Sequence, residues 1–318
     1  MASLWLPILY CILYICTVLV NKYVLWVLGF TYPTLFQGWQ TLVGFLVLRF
    51  VASLGHIELS SNISSSAYFQ WLPAMVLFVC GIYSGSRALA RLPIPIFLCL
   101  QGQVEVITSI VAALIHKQNP KPQVACSWLI MTASGITIWL TDPQYDQNGY
   151  KWMFLHVIVS SQSAIYMKWQ KTFLMNDVDR LHCIYAFSVC VFAPGSFILG
   201  DLMSSSNFRF WYMHHFYVGC LMSGILGVTL ALCHLYMKHV FPDFVLSLTI
   251  SASKILCVVI STLIYLTVFN THFFLSIFFC LAGQLIHSIA KHDGSVDRLS
   301  SNIDDDDLMG PKLEKEQA

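Results

Sequence analysis

The sequence predicts an all-α integral membrane protein that crosses a bilayer about ten times, with both termini in the cytosol. Three observations predict it. The chain is 57% hydrophobic and only 10% charged, with a mean hydropathy of +0.68, whereas soluble domains carry roughly 25% charged residues. Ten apolar windows approach the roughly 20 residues that a helix needs to cross hydrocarbon. Lysine and arginine fall unevenly on the two sides of those windows.

In chain order the windows are 3–22, 34–54, 69–90, 93–115, 124–140, 150–170, 181–200, 211–236, 241–268 and 271–290. Each must be helical, because a strand's open edge finds no water inside a bilayer. The first has no positive stretch before it, and Asn21 and Lys22 follow without a small-residue cleavage site, so it reads as a retained span rather than a signal peptide. Pro93 and Pro95 turn the chain between the third and fourth, and Asn119, Pro120, Lys121 and Pro122 separate the fourth from the fifth. Connections this short leave neighbouring helices antiparallel. In the eighth, Gly219, Ser223 and Gly227 recur every four residues and read as a close-packing face. In the tenth, His287 reads as an interfacial histidine with a partner. The chain turns polar from Gly294, and Asp304, Asp305, Asp306 and Asp307 stand in a row. This gives one membrane domain over 1–291 and a disordered acidic cytosolic tail over 292–318.

Orientation follows from the basic residues. Arg49, Lys117, Lys121, Lys168, Lys171, Arg180, Lys238, Lys291, Arg298, Lys312 and Lys315 lie at the C-terminus or on even-numbered connections, out of 17 lysines and arginines in all. The odd-numbered side keeps Lys22, Arg87, Arg91, Lys151 and Arg209. The sequon Asn62-Ile63-Ser64 then lies in a cytosolic loop and stays unmodified.

Several function classes drop out. A net charge of +1 from scattered basic residues gives no nucleic-acid footprint. The 11 cysteines lie mostly in apolar runs without a CxxC pair, so they read as buried thiols rather than disulfide or zinc sets. There is no metal cluster, Walker loop, nucleophile elbow or Asp/His cluster within the spans, so neither a cofactor nor an enzyme is expected. A scaffold holding partners through the tail is the rival reading, but it has no use for charges at mid-span. A homodimer is an open arrangement.

Those charges are Glu105 and Lys254, near the middle of the fourth and ninth windows. An ionised group at mid-bilayer costs roughly 2.5–3.5 kcal/mol on insertion scales, so it faces a cavity or a partner. If the fold is two five-helix halves, the two positions are equivalent, and carriers built from inverted halves bind their solute at that seam. At 100° per residue, Ser247, Ser251, Lys254, Ser261 and Tyr265 share one stripe. Gln101, Glu105 and Thr108 line another, and Tyr10, Tyr14, Thr17 and Asn21 a third. Such serines and threonines most often bond neighbouring helices. Lys254 is different: its ammonium has three donors and attracts phosphate as a point charge. Glu105 is either a proton or solute site or the counter-ion of Lys254. These residues favour a carrier of a small anionic solute.

Several stretches resemble the nucleotide-sugar transporters of the drug/metabolite transporter superfamily, in the branch of the GDP-mannose transporters. They are Asn21-Lys22-Tyr23-Val24-Leu25, then Gly85-Ser86-Arg87-Ala88-Leu89-Ala90-Arg91-Leu92 followed by Ile94-Pro95-Ile96-Phe97, and Asn148-Gly149-Tyr150. The resemblance implies ten helices in a 5+5 inverted repeat, a Golgi or endoplasmic-reticulum membrane, and exchange of a nucleotide sugar for a nucleoside monophosphate by alternating access. Where that branch has Gly-Ala-Leu-Asn-Lys, this chain has Ile250-Ser251-Ala252-Ser253-Lys254, which keeps the lysine. Where it has Phe-Tyr-Asn-Asn, this chain has Ile184-Tyr185-Ala186-Phe187, without the asparagines that read guanine. Gln101 stands in place of a lysine. The resemblance thus implies that Lys254 engages a diphosphate and Tyr185 offers its ring to a base, although Tyr185 and Phe187 by themselves read more readily as packing residues. Tyr265, Ser251 and Gln101 bond sugar and ribose hydroxyls, while Asn21 and Lys22 shape the lumenal mouth. UDP-N-acetylglucosamine is the leading cargo.

Overall fold

The computed structural model describes all residues except 1–4, 61–63, 116, 118, 170–174, 266–269 and 310–318, with backbone alone at 168, 169 and 291–309. Among the described residues every element is helical: α1 (Trp5–Lys22), α2 (Pro33–Ser53), α3 (Ser65–Arg91), α4 (Ile94–Gln101), α5 (Gln103–Ile115), α6 (Pro122–Thr141), α7 (Gln147–Trp169), α8 (Asp177–Ile198), α9 (Asp201–Ser205), α10 (His214–Val240), α11 (Asp243–Tyr265) and α12 (Thr271–Met309). Asn62 of the sequon lies outside the described residues. The polar stretch after 291 extends α12 as far as Met309.

Local chemistry sets the boundaries. Prolines open α2, α4 and α6 in the first turn, where a missing N–H costs nothing. Ser64 caps α3 by accepting from the Ala67 N–H. Asp177 and Asp179 place negative charge at the start of α8, where the helix dipole favours it. Beyond Lys22, α1 loosens into a π-helical turn over Tyr23–Val27, and Gly29 at φ 66 then reverses the chain.

Nine of the described helices are long and apolar enough to cross a membrane, with α4 and α5 counted as one span. The chain is therefore an all-helical membrane protein, as its composition requires. The remaining window, 150–170, forms α7, a helix of 23 residues that is not among those nine. Two of its polar residues, His156 and Ser161, are buried, and His156 Nδ1 lies 2.9 Å from the Gly81 carbonyl oxygen of α3.

The fourth window departs from a single straight span. Its helix breaks at Gly102, whose N–H turns back to the Cys99 carbonyl three residues earlier. The Gln284 amide of α12 occupies the space where a side chain on Gly102 would stand. The reversal is thus fixed between helices as well as within one.

Packing follows a regular scheme. α1 packs on α10 and α3 on α7; α1 on α11 and α5 on α7; α2 on α10 and α3 on α8; α11 on α12 and α5 on α6. α2 packs on α8, α6 on α12 and α4 on α11. With α4 and α5 taken together, exchanging the first five long helices for the last five maps each pair onto another in this set or onto itself. The largest buried cluster lies where α3, α4, α11 and α12 meet, around Leu92, Ile96, Leu98, Cys257 and Ile277.

Candidate solute-binding site

The two mid-span charges meet. Lys254 of α11 donates to Glu105 of α5 across 2.6 Å, with the lysine side chain 6% exposed and the glutamate side chain 31%. Glu105 sits in the first turn of α5, just beyond the break at Gly102. The pair is therefore more deeply buried at its lysine end, and it ties the first-half helix α5 to the second-half helix α11. The counter-ion reading of Glu105 agrees with this contact.

Around the pair, side-chain amides cluster at the break. Gln103 Nε2 donates to the Met131 carbonyl at 2.8 Å. Gln284 is 1% exposed, with its Nε2 near the Cys99 carbonyl and its Oε1 without a partner. Gln101 ends α4 half-buried on the other side of Gly102.

The polar stripe of α11 is shared among three helices. Ser247 and Ser251 both bond Ser288 of α12, at 3.0 and 2.9 Å. Lys254 turns to α5. Tyr265 donates to the Leu19 carbonyl of α1 at 2.9 Å and stands edge-on to Trp26. Ser251 thus spends its hydroxyl on helix packing. On α1, Asn21 Oδ1 accepts from Ser223 at 2.6 Å and from Gln40 at 3.0 Å, joining α1 to α10 and α2.

Lys22 is 3% exposed and donates to the carbonyls of Leu89 and Leu92, at 2.8 and 2.9 Å. These belong to the C-terminal end of α3, where carbonyls lack intrahelical partners and attract a cation. The ammonium also lies 5.2 Å from the centre of the Trp26 ring, within cation–π range.

Above this contact opens a cleft lined by Lys22, Trp26, Arg91, Gln144, Ser261 and Tyr265, with the prolines of the α3–α4 turn as its floor. Ser261 and Tyr265 lie seven and eleven residues beyond Lys254, about 10 and 16 Å further along α11 at the helical rise. The central pair and the cleft are successive stations along one helix face.

Tyr185 stands apart from both. It is buried in a cluster with Leu48, Trp71 and Met75, edge-on to Phe78 and packed on Gly44 so tightly that a Cβ there would lie 2.6 Å from its ring. The structure shows it packing α8 on α2 and α3.

No family model matches the chain. Among curated proteins, a Xenopus laevis protein named UDP-N-acetylglucosamine transporter TMEM241 homolog is 40% identical over 72% of this chain and 77% of that one. The mouse UDP-N-acetylglucosamine transporter TMEM241 is 36% identical over 82% and 87%. The chain belongs to the TMEM241 family of nucleotide-sugar transporters. A GDP-mannose transporter of Scheffersomyces stipitis is similar at a greater distance, 22% identical over 89% of this chain and 90% of that one. Members of the TMEM241 family are named as transporters rather than enzymes, in agreement with the carrier chemistry of the mid-span charges. A solved crystal structure superposes with a TM-score of 0.54 over 88% of this chain and 96% of that one at 10% identity, which shows a shared fold.

Within this family frame, sequence reasoning found Lys254, Glu105, Lys22 and Tyr265 but passed over Trp26, Gln144 and Gln284. Only Gln284 carried a usable signal, as an amide within an apolar span. Gly224 was also missed: a Cβ there would meet Val43 at 2.8 Å, whereas Gly227 has nothing within 4 Å. The close-packing face of α10 is Gly219, Ser223 and Gly224, and Gly227 is corrected out of it.

Proposed function

We propose that the chain carries UDP-N-acetylglucosamine from the cytosol into the Golgi lumen in exchange for a nucleoside monophosphate. The relatives named for that sugar support the cargo. The observation that carries the mechanism is the Lys254–Glu105 contact. In the empty carrier the carboxylate holds the ammonium and pins α5 to α11. An arriving diphosphate replaces the carboxylate as partner of Lys254, so the buried charge is never left alone, and Glu105 turns aside. The pin between the halves is released only while a phosphate is bound. The empty carrier therefore does not reorient, and exchange follows from electrostatics.

The pairwise symmetry of helix packing supports a 5+5 inverted repeat rocking about this seam, with both termini cytosolic and 292–318 as a tail. In this reading Gln101, Ser251 and Tyr265 bond sugar and ribose hydroxyls as the halves separate. Asn21 and Lys22 frame the lumenal mouth, while Tyr185, packed among α2, α3 and α8, takes no part in the site.

The test is uptake of labelled UDP-N-acetylglucosamine into proteoliposomes containing the purified chain, with GDP-mannose as competitor. Uptake is expected only into vesicles preloaded with uridine monophosphate, and Lys254→Gln should abolish it. Absence of uptake of either sugar into preloaded vesicles overturns the carrier reading. Equal uptake into empty vesicles overturns the exchange.

A further inference from the structure

We propose that Arg87 and Arg91 form a phosphate-binding subsite at the odd-numbered-loop end of the carrier, separate from the Lys254–Glu105 pair. Two clefts share a wall there. One is the Lys22–Tyr265 cleft already described; the other is lined by Thr31 of the α1–α2 connection, Pro33 at the start of α2, and Ser86, Arg87 and Arg91 of α3. Arg91 lines both.

Arg87 is shaped for an anion. Its guanidinium lies 5.5 Å from the Tyr83 ring centre and 5.8 Å from that of Trp152, and it donates to the Tyr83 hydroxyl at 3.1 Å. Among the described residues no carboxylate meets it, and its Nε is buried without a partner. A guanidinium keeps its charge at any physiological pH, and the two neighbouring rings with the Tyr83 hydroxyl restrict its conformations before a ligand arrives. Arg91 adds a second fork at the rim, where it contacts Asp146 at 3.0 Å with both side chains partly exposed. Asp142 is turned away to the Tyr150 hydroxyl. Lys22 and Arg91 line the first cleft and Arg87 and Arg91 the second, with no carboxylate among the lining residues of either. Lys22 contributes field more than donors, since two of its protons are already placed.

The distribution of charge adds a second argument. Topology clears lysine and arginine from the lumenal side. Of the five kept on the odd-numbered connections, Lys22, Arg87 and Arg91 converge on these clefts. Cations retained against that bias and gathered around adjoining clefts mark an anion's station. The matching ligand is a phosphate ester, either the nucleoside monophosphate about to leave the lumen or a lipid headgroup at the rim. Naming the lumen rests on the carrier reading; the phosphate chemistry does not.

The experiment is arginine labelling by phenylglyoxal, read by peptide mass spectrometry, on the full chain in phosphatidylcholine nanodiscs. Uridine monophosphate or inorganic phosphate should slow modification of Arg87 and Arg91 several-fold and leave exposed Arg209 unchanged. Protection that appears only when phosphatidylinositol phosphate is added to the discs keeps the subsite and assigns it to a headgroup. Equal rates under all conditions overturn the proposal, as does protection of Arg87 that survives Arg91→Gln. Lost transport with intact protection defeats the carrier reading alone, and intact transport without protection defeats the subsite alone.

Discussion

Lys254 and Glu105 meet across 2.6 Å in an unequal partnership, because the lysine side chain is sealed in protein while the glutamate side chain is only partly buried. The two single neutralisations should therefore differ. Glu105→Gln leaves a buried ammonium without its counter-ion and should cost about 3 kcal/mol, the lower end for breaking a buried pair. Lys254→Gln leaves a carboxylate on the less buried of the two side chains and should cost less. Thermal melting of the purified variants checks this, and a lower melting temperature for Lys254→Gln than for Glu105→Gln contradicts it.

The notch at Gly102 gives a second prediction. Gly102→Ala drives a methyl into the Gln284 amide and should destabilise the fold by about 1–3 kcal/mol, the usual cost of overpacking. Shortening the amide in the same chain, as Gly102→Ala with Gln284→Ala, should restore much of the loss. Additive melting-temperature losses in the double variant would show that the two positions do not share a space.

On α10, two glycines three residues apart should respond oppositely. Gly224→Ala meets Val43 and should destabilise, whereas Gly227→Ala enters open space and should gain up to about 1 kcal/mol from helix propensity. Melting curves of the two single variants decide it.

A fourth prediction concerns acid. Burial works against the charge on Asp146, but hydrogen bonds from Arg91 and from the backbone N–H groups of Asn148 and Gly149, with the Arg91 charge, hold its carboxyl below the usual carboxylate range. A depressed folded pKa contributes stability that is fully present above the unfolded value of about 3.9 and disappears as pH falls through the folded one. Asp146→Asn should therefore lower the melting temperature at pH 6, and the difference should shrink as pH falls below the usual carboxylate range. A difference that does not change with pH would rule out the ionic contribution.

Much of this architecture could be read from residues alone, for identifiable reasons. Hydrocarbon tolerates so few arrangements that apolar length located the helices, and the cost of a mid-span charge singled out Glu105 and Lys254 before their contact was visible. What escaped were facts about partners. Gly102 looks like any tolerated helix glycine until Gln284 is seen beside it. Lys22 cannot be assigned to the end of α3 without knowing which carbonyls lie near. Ser251 shares a stripe with Lys254, yet one stripe on α11 touches α12, α5 and α1 in turn. Tyr185 carries a family tyrosine, but its ring's neighbour is a glycine of another helix.

The interruption between α4 and α5 gives the centre of the protein a joint where a rigid rod would otherwise run. One segment begins at the proline turn beneath the arginines; the other starts with the carboxylate that holds Lys254. A bend at Gly102 pivots α5 close to its carboxylate, so a large swing is needed to part it from α11 while the proline turn stays in place. The moving part of such a machine need be no larger than a half-helix of 13 residues.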